Sequence, residues 1–425
     1  MVILGGGYAG MTIARFLEKR ADKIGWEIVL INRDNFFLFT PMLGEVATGS
    51  IETRHIINPI RQLCRRIRFE EREVLDINTR KKVVKVRQEA TGREEGVAYD
   101  KLIIALGSTT NFFNIPGLNE NAITMKGLGD AIYVRNHIIS LFEQADTEKY
   151  PQIQAPLVTF VVVGGGFAGV ELAGELNDFA HYLRKFYPFI NGSLIRVVLL
   201  EAASRLLLEV GEDLAGFALQ TLKEKGMEVR LSARVKEARP DRVILEGGEE
   251  ILTRTLIWTA GVVPQPVVSA LPFQKDKRGR ILVNEYFQSL DDPDIWVAGD
   301  CSSLTDPRTG QPYPPTAQHA LRQGKRAARN ILAEITAGKK KPFRYQMLGQ
   351  MAMLGRRSGV AIVLGFRVKG FWAWWLWRTY YLFRLPRLAK KLRVMLDWTI
   401  DLFFERDIAQ LKPYHHRPGA QADFN

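Results

Sequence analysis

Two glycine-rich loops dominate the chain: Gly5-Gly6-Gly7-Tyr8-Ala9-Gly10 and Gly164-Gly165-Gly166-Phe167-Ala168-Gly169. An apolar run precedes each, Val2-Ile3-Leu4 and Val158 to Val163, and reads as a strand. A helical pattern follows each, from Met11 to Leu17 and from Val170 to Leu176. Strand, glycine turn and helix in that order make a dinucleotide-binding unit. The glycines admit the tight turn and let the backbone approach a pyrophosphate. The helix N-terminus then offers unpaired N–H groups and the positive end of a dipole. One such unit implies a bound dinucleotide; two imply an electron carrier at one site and its donor at the other.

A chain of 425 residues exceeds one ordinary domain and suits two or three. The formal charge of +13 suggests a nucleic-acid partner until it is located. From Lys325 onward, 20 Lys and Arg stand against 6 Asp and Glu, a net of +14, so the preceding body is almost neutral. The basicity therefore describes a surface that the tail meets and says nothing about a groove in the body; no nucleic-acid partner is expected. There are two cysteines, Cys64 and Cys301, and no Cys-x-x-Cys. That excludes a disulfide framework and a redox dithiol, and it fits a reducing compartment. Both cysteines read as small buried hydrophobes. No signal peptide is evident, and only Met1 to Leu4 precede the first loop.

Trp26 to Ile31 reads as the second strand of the first unit and ends at Asn32-Arg33. Asn32 stands where an acid usually binds a ribose hydroxyl, about 20 residues past the glycines, and its amide can still hydrogen-bond that hydroxyl. Lys101 to Gly107 is a further strand running into a glycine turn, and Pro116-Gly117 marks a crossing out of the first domain. The second unit has its second strand at Ile195 to Leu200, ending at Glu201, 32 positions after Gly169. The extra residues lie in a lengthened helix broken at Tyr187-Pro188-Phe189 and Asn191-Gly192. Asp294 to Asp300 is a strand ending in Gly-Asp, and Pro314 and Pro315 stand at the mouth of the next helix. The expected fold class is α/β: two Rossmann-like dinucleotide-binding domains, plus a C-terminal amphipathic helical region suited to anchoring on a membrane. The expected boundaries are 1–118 with 266–340 for a discontinuous first domain, 119–265 for the second, and 341–425 for the tail.

These pieces, in this order, resemble a glutathione-reductase-like flavoprotein with two dinucleotide domains, and within that class a type II NADH dehydrogenase. The residues that carry the resemblance are the two loops, Asn35 to Gly49, Gly164 to Leu176, Ala298-Gly299-Asp300, and Ala317 to Gln323. The resemblance implies FAD on the first domain, held by Gly5, Gly7, Tyr8, Ala9, Gly10, Asn32, Arg33, Thr40, Val74, Ala105, Gly107, Asp300 and Ala317. It implies NADH on the second, held by Gly164, Gly166, Phe167, Gly169, Glu201 and Gly261. A carboxylate at Glu201 suits a ribose 2′-hydroxyl and repels a 2′-phosphate, which favours NADH over NADPH. The helix starting near Pro315 is expected to aim its positive end at the flavin. Two residues are expected to act on the reaction itself. Glu171, read as lying in the first turn of its helix, relays a proton to a reduced quinone, and Gln318 anchors a quinone carbonyl. His319 reads as structural, and no metal is assigned.

Five of the eight tryptophans fall between Trp372 and Trp398. Phe371 to Phe383 is almost wholly apolar, and Pro386 closes it at about 22 Å of helix, short of the roughly 30 Å of bilayer hydrocarbon. After Pro386, Leu388, Leu392, Met395, Thr399 and Leu402 form one stripe, with Arg387, Lys390, Lys391 and Arg393 mostly off it. Tryptophan beside a basic face suits an interfacial helix on anionic lipid. A second copy of the chain, as a homodimer, is the competing cover for that stripe. Leu376, Tyr380 and Phe383 are candidates for lining a quinone entry.

The expected activity is hydride transfer from NADH to FAD, then two-electron reduction of a membrane quinone, without proton pumping. The expected place is peripheral, on the cytoplasmic face of a bacterial inner membrane. Two rivals stay open: a flavoprotein reductase of a ferredoxin or rubredoxin, and a redox-sensing flavoprotein with little turnover.

Overall fold

The computed structural model describes residues 1–20, 25–347 and 349–411. Its body holds two five-stranded parallel sheets built to one plan. In the first, the order is Ile295–Val297, Leu102–Ile104, Val2–Leu4, Val29–Asn32, Arg68–Glu71. In the second it is Ile123–Thr124, Thr255–Trp258, Thr159–Val163, Arg196–Leu200, Glu228–Arg230. In each, the strand before the glycine loop is central, pairing Ile3 with Leu30 and Ile103, or Val162 with Leu199 and Ile257. Strands buried on both faces need continuous apolar runs, which is what these segments carry. The duplication also includes a three-stranded antiparallel meander in each unit, Glu73–Ala98 and Val235–Leu252. The chain crosses between units along an antiparallel ribbon, Ser108–Thr110 against Val262–Pro264.

The tail departs from a purely helical reading. Before its helices it forms a three-stranded antiparallel sheet, Gly349–Met353, Gly359–Val363 and Phe366–Lys369. This sheet packs onto the second glycine-loop helix, Phe167–Leu183, so closely that a Cβ on Gly174 would lie 2.6 Å from the Gly355 nitrogen. Two helices follow, Phe371–Arg384 and Leu388–Phe403. Among the described residues no helix is long and apolar enough to cross a membrane.

The last helix is turned opposite to a core helix. Lys390, Val394, Trp398 and Asp401 face the protein, whereas Leu388, Leu392, Met395, Leu396, Ile400, Leu402 and Phe403 are exposed. Lys390, expected on the basic face that meets lipid, is instead buried and donates from Nζ to the Arg54 carbonyl at 2.5 Å. The His55 ring and Asp397 meet at 2.5 Å on the same side. Polar contacts thus hold the helix to the body, and the leucines are left outward.

Candidate functional site

The two loops are conformationally equivalent. Gly5 has φ +101° and Gly164 φ +114°, values that a side chain would strain. A Cβ on Gly10 would fall 1.8 Å from the Gly5 carbonyl, and one on Gly169 the same distance from that of Gly164. Gly10 and Gly169 therefore serve packing and stand back from the cleft. By contrast, no heavy atom would lie within 4 Å of a Cβ at Gly7 or Gly166, which cap the helices Tyr8–Glu18 and Phe167–Leu183. Neither helix start has a side-chain cap, so its first N–H groups face a ligand position. Asn32 and Glu201 occupy matching places. The Gly6 N–H donates to Asn32 Oδ1 at 2.7 Å, and the Gly165 N–H donates to Glu201 Oε2 at 2.5 Å. Each side chain props the loop from the end of the second strand, which the longer spacing to Glu201 does not disturb.

A cavity of about 630 Å³ runs over the first loop. Twelve of the residues expected at FAD line it: Gly5, Gly7, Tyr8, Ala9, Asn32, Arg33, Thr40, Val74, Ala105, Gly107, Asp300 and Ala317; Gly10 does not. At its far side it reaches Phe167, Ala168 and Glu171 from the second loop helix. Asp300 Oδ2 accepts from Ser108 Oγ at 2.8 Å, and Ser108 Oγ in turn accepts from Lys126 Nζ at 3.2 Å. Lys126 was not read from the sequence. Its ammonium pKa is lowered, chiefly by burial against the opposing pull of Asp300 and Asp130. Volume, uncapped helix start and bared glycine backbone fit an elongated dinucleotide. Gly164, Gly166, Glu201 and Gly261 surround the second loop outside this cavity, and Gly261 packs on Phe113.

A second cavity of about 560 Å³ meets the first at Tyr8, Pro41, Ala317 and Tyr381, which line both. Rings build the wall: Phe39 lies 6.0 Å from Tyr381, and Tyr381 lies 4.5 Å from Trp377. Gln318 lines this second cavity beside the N-terminus of the helix Ala317–Ile335, which Thr316 caps by accepting from the His319 N–H. Gln318 Oε1 accepts from the Tyr345 hydroxyl at 3.3 Å, and its Nε2 donates to the Gly349 carbonyl at 3.4 Å. His319 is buried against Thr316, and burial lowers its pKa to about 4. Of the expected entry residues, Tyr380 lines the cavity, and Leu376 and Phe383 do not. The mouth carries Arg15, Lys19, Arg20, Arg322, Lys325 and Arg384. Arg15 comes from the first loop helix, and Lys19 and Arg20 follow its C-terminal end, so the basic collar is not the tail's alone.

Glu171 and Gln318 therefore face different cavities across one wall. The second loop helix begins at Phe167, which places Glu171 beyond its first turn. Burial, not the helix dipole, governs this acid. Its Oε1 accepts from Trp377 Nε1 at 2.7 Å and from the Met353 N–H at 3.2 Å, yet desolvation raises its pKa to about 8. Two more buried acids line the same cavity: Glu45, and Glu175 one helical turn beyond Glu171. Desolvation raises both. Glu45 Oε1 accepts from Trp398 Nε1 at 2.9 Å and from Arg378 at 3.2 Å; Glu175 accepts from the Thr48 and Ser50 hydroxyls. Both acids escaped the sequence reading, although each stands among apolar neighbours, in Leu43-Gly44-Glu45-Val46-Ala47 and Leu172-Ala173-Gly174-Glu175-Leu176. Cys64 and Cys301 are buried free thiols, each raised to about 12 by desolvation, and neither is a ready nucleophile.

The family model described as pyridine nucleotide-disulphide oxidoreductase matches residues 1–324, and the NDH2 C-terminal domain model matches residues 347–407. The chain belongs to the type II NADH dehydrogenases. It is 34% identical to a probable NADH dehydrogenase of Dictyostelium discoideum, over 96% of this chain and 90% of that one. It is 32% identical to the type II NADH:quinone oxidoreductase of Mycobacterium tuberculosis, over 96% and 88%. Its fold is that of the NDH2 of Plasmodium falciparum solved in complex with NADH, with a TM-score of 0.88 over 96% of this chain and 99% of that one, at 18% identity.

Proposed function

We propose that the chain is an NADH:quinone oxidoreductase that keeps FAD as its resident cofactor, oxidises NADH and reduces a quinone to quinol without pumping protons. The observation that carries the reading is the pair of cavities sharing the wall of Tyr8, Pro41, Ala317 and Tyr381. FAD, when bound, supplies a two-electron carrier between hydride donor and quinone. The protein positions and tunes. Gly5, Gly7, Asn32, Arg33, Thr40, Val74, Gly107 and Asp300 hold the flavin dinucleotide. Gly166, Phe167, Glu201 and Gly261 seat NADH. Gln318 offers its amide to a quinone carbonyl, and Glu171 keeps a proton available at neutral pH because burial holds it protonated. The same reading assigns residues 1–118 and 266–340 to FAD, 119–265 to NADH and 341–425 to membrane association; residues 412–425 of that tail lie outside the described ones.

The acceptor is lipid-borne in this reading. The second cavity opens at Arg384 and Pro386, beside the exposed Phe383, Leu388 and Leu392. Trp372, Trp375, Leu396, Ile400 and Phe403 extend that apolar face, and the cationic collar surrounds the mouth. An anionic lipid surface complements both, with indole rings at the headgroup level and cations beside them. Two buried free thiols fit the cytoplasmic face of a bacterial inner membrane.

An anaerobic titration tests the activity. NADH should bleach the flavin, and a quinone should restore it. Bleaching that ferredoxin or rubredoxin reverses but no quinone does would replace this acceptor, and bleaching that nothing reverses would leave a sensor.

A further inference from the structure

The buried Glu45–Arg378 contact is badly made for a structural ion pair. Arg378 is stacked between Trp374 and Trp398, at 4.3 and 4.7 Å from the ring centroids, so its position is well determined. A guanidinium so placed usually grips a carboxylate with two parallel bonds. Here Glu45 Oε1 takes both the Arg378 and Trp398 donors. Glu45 Oε2 is buried and has no hydrogen-bond partner among the described residues, and Arg378 Nε is in the same condition. Glu45 is only 1% exposed, and it lines the cavity that Glu171 and Glu175 also line. An ionised carboxylate would leave a bare buried oxygen at the full desolvation cost of an unmade hydrogen bond. A protonated one turns Oε2 into a donor, on a residue that lines the cleft.

We propose that Glu45 is a second proton carrier of the cleft, reloading Glu171 after Glu171 has given its proton to the quinone. The inference rests on the quinone-reductase reading above. The overall balance is NADH, one proton and quinone going to NAD⁺ and quinol. Two electrons and one hydrogen leave NADH as hydride. The second hydrogen leaves Glu171 as its O–H bond breaks; the Tyr381 hydroxyl, on the wall that both cavities share, takes that proton as its own O–H proton goes to form an O–H bond on the quinone oxygen. The Glu45 O–H then breaks and an O–H re-forms on Glu171, through a bridging water of the kind polar cavities hold. The carboxylate left at Glu45 is the state that Arg378 stabilises, until water returns its proton. This gives the guanidinium a use that a one-pronged bond to a permanent anion does not. The charged and titratable groups facing Glu45 are Arg378 and Arg406 from the tail, with Glu171 and Glu175 from the second loop helix. Behind Glu175 stand Asp178 and Lys225, and Asp401 pairs with Arg406.

Infrared difference spectra of the resting, flavin-loaded full chain, taken between acidic and alkaline buffer without NADH or quinone, read the acid directly. The wild type should show a protonated-carboxyl C=O component that Glu45→Gln lacks and Glu45→Asp displaces, while the Glu171 component stays in both variants. In turnover, Glu45→Gln should slow the quinone-reducing half-reaction on the order of tenfold, below the roughly 100-fold of a group acting in the transition state. Its alkaline limb should also move to lower pH, because Glu171 loses an anionic neighbour. A Glu45→Gln spectrum identical to the wild type, or an unmoved alkaline limb, would overturn the proposal. Should Glu171→Gln itself reduce quinone at the wild-type rate, the reading of Glu171 fails first; slow Glu171→Gln with normal Glu45→Gln sinks only the role of Glu45.

Discussion

Glu171 is held protonated at neutral pH because three sides of it are dry: the Trp377 indole, the Met353 backbone and its own helix. Two donors lower its pKa less than desolvation raises it, and the balance is a pKa of about 8. An acid that must give up a proton acts only while protonated, so quinone reduction should decline as pH rises through about 8. Glu171→Gln should abolish that limb and slow turnover about 100-fold while FAD stays bound. Stopped-flow rates across pH, with flavin absorbance as the loading control, check both. Gln318 works on the other side of the wall, as a neutral hydrogen-bonding group. Losing one such bond is worth about 1 kcal/mol, so Gln318→Ala should raise the quinone KM by about fivefold and leave flavin bleaching by NADH at its normal rate. Glu201→Gln should narrow the preference for NADH over NADPH, read from kcat/KM with each donor, because a neutral amide no longer repels a 2′-phosphate. That twelve of the residues expected at the flavin would line one cavity was legible from the loop and strand-end pattern, since that pattern is local. Glu45 and Glu175 were not, because burial beside another acid depends on elements hundreds of residues apart.

At the scale of elements, the decisive contact is the tail's sheet against the second loop helix. Gly174 permits it by leaving no Cβ where the Gly355 backbone passes. Gly174→Ala should push the two apart and cost about 1–3 kcal/mol, as overpacking does. A lowered midpoint of thermal unfolding, accompanied by quenching changes in tail tryptophans, would show it; an unaltered midpoint would mean that the sheet can shift freely. The same packing explains why the tail cannot be removed cleanly. Trp377, Arg378 and Trp398 all reach buried acids, so truncation after Gly370 would uncover the cleft itself. The tail's helices were foreseeable from their aromatic run and Pro386, but its antiparallel sheet was not. Gly349 to Lys369 alternates weakly, and its strands are sustained by packing on a neighbouring helix and not by a strong period of their own.

For the whole molecule, the outward leucines of Leu388–Phe403 are the exposed feature most in need of a partner. Because Lys390, Trp398 and Asp401 fix the opposite face inward, serines can replace Leu396, Ile400 and Phe403 without opening the cleft. That triple variant should lose sedimentation with anionic vesicles and keep its flavin and its bleaching by NADH. Binding of the wild type should weaken with added salt, as contacts between exposed cations and lipid do. If vesicle binding survives in the variant while a dimer seen by light scattering becomes a monomer, a second copy of the chain covers this face instead.

By themselves, the paired glycine loops determined that two nucleotide units exist, since a tight turn with bared backbone requires glycine whatever surrounds it. The missing dithiol and the basic, tryptophan-rich tail narrowed the acceptor, because reaction chemistry and surface charge are carried by residue type. The tertiary structure alone decided where those parts meet: one wall shared by two cavities, and a tail whose indoles hydrogen-bond to the buried acids Glu171 and Glu45. Such contacts are long-range, and the desolvation that sets the acids depends on the completed packing.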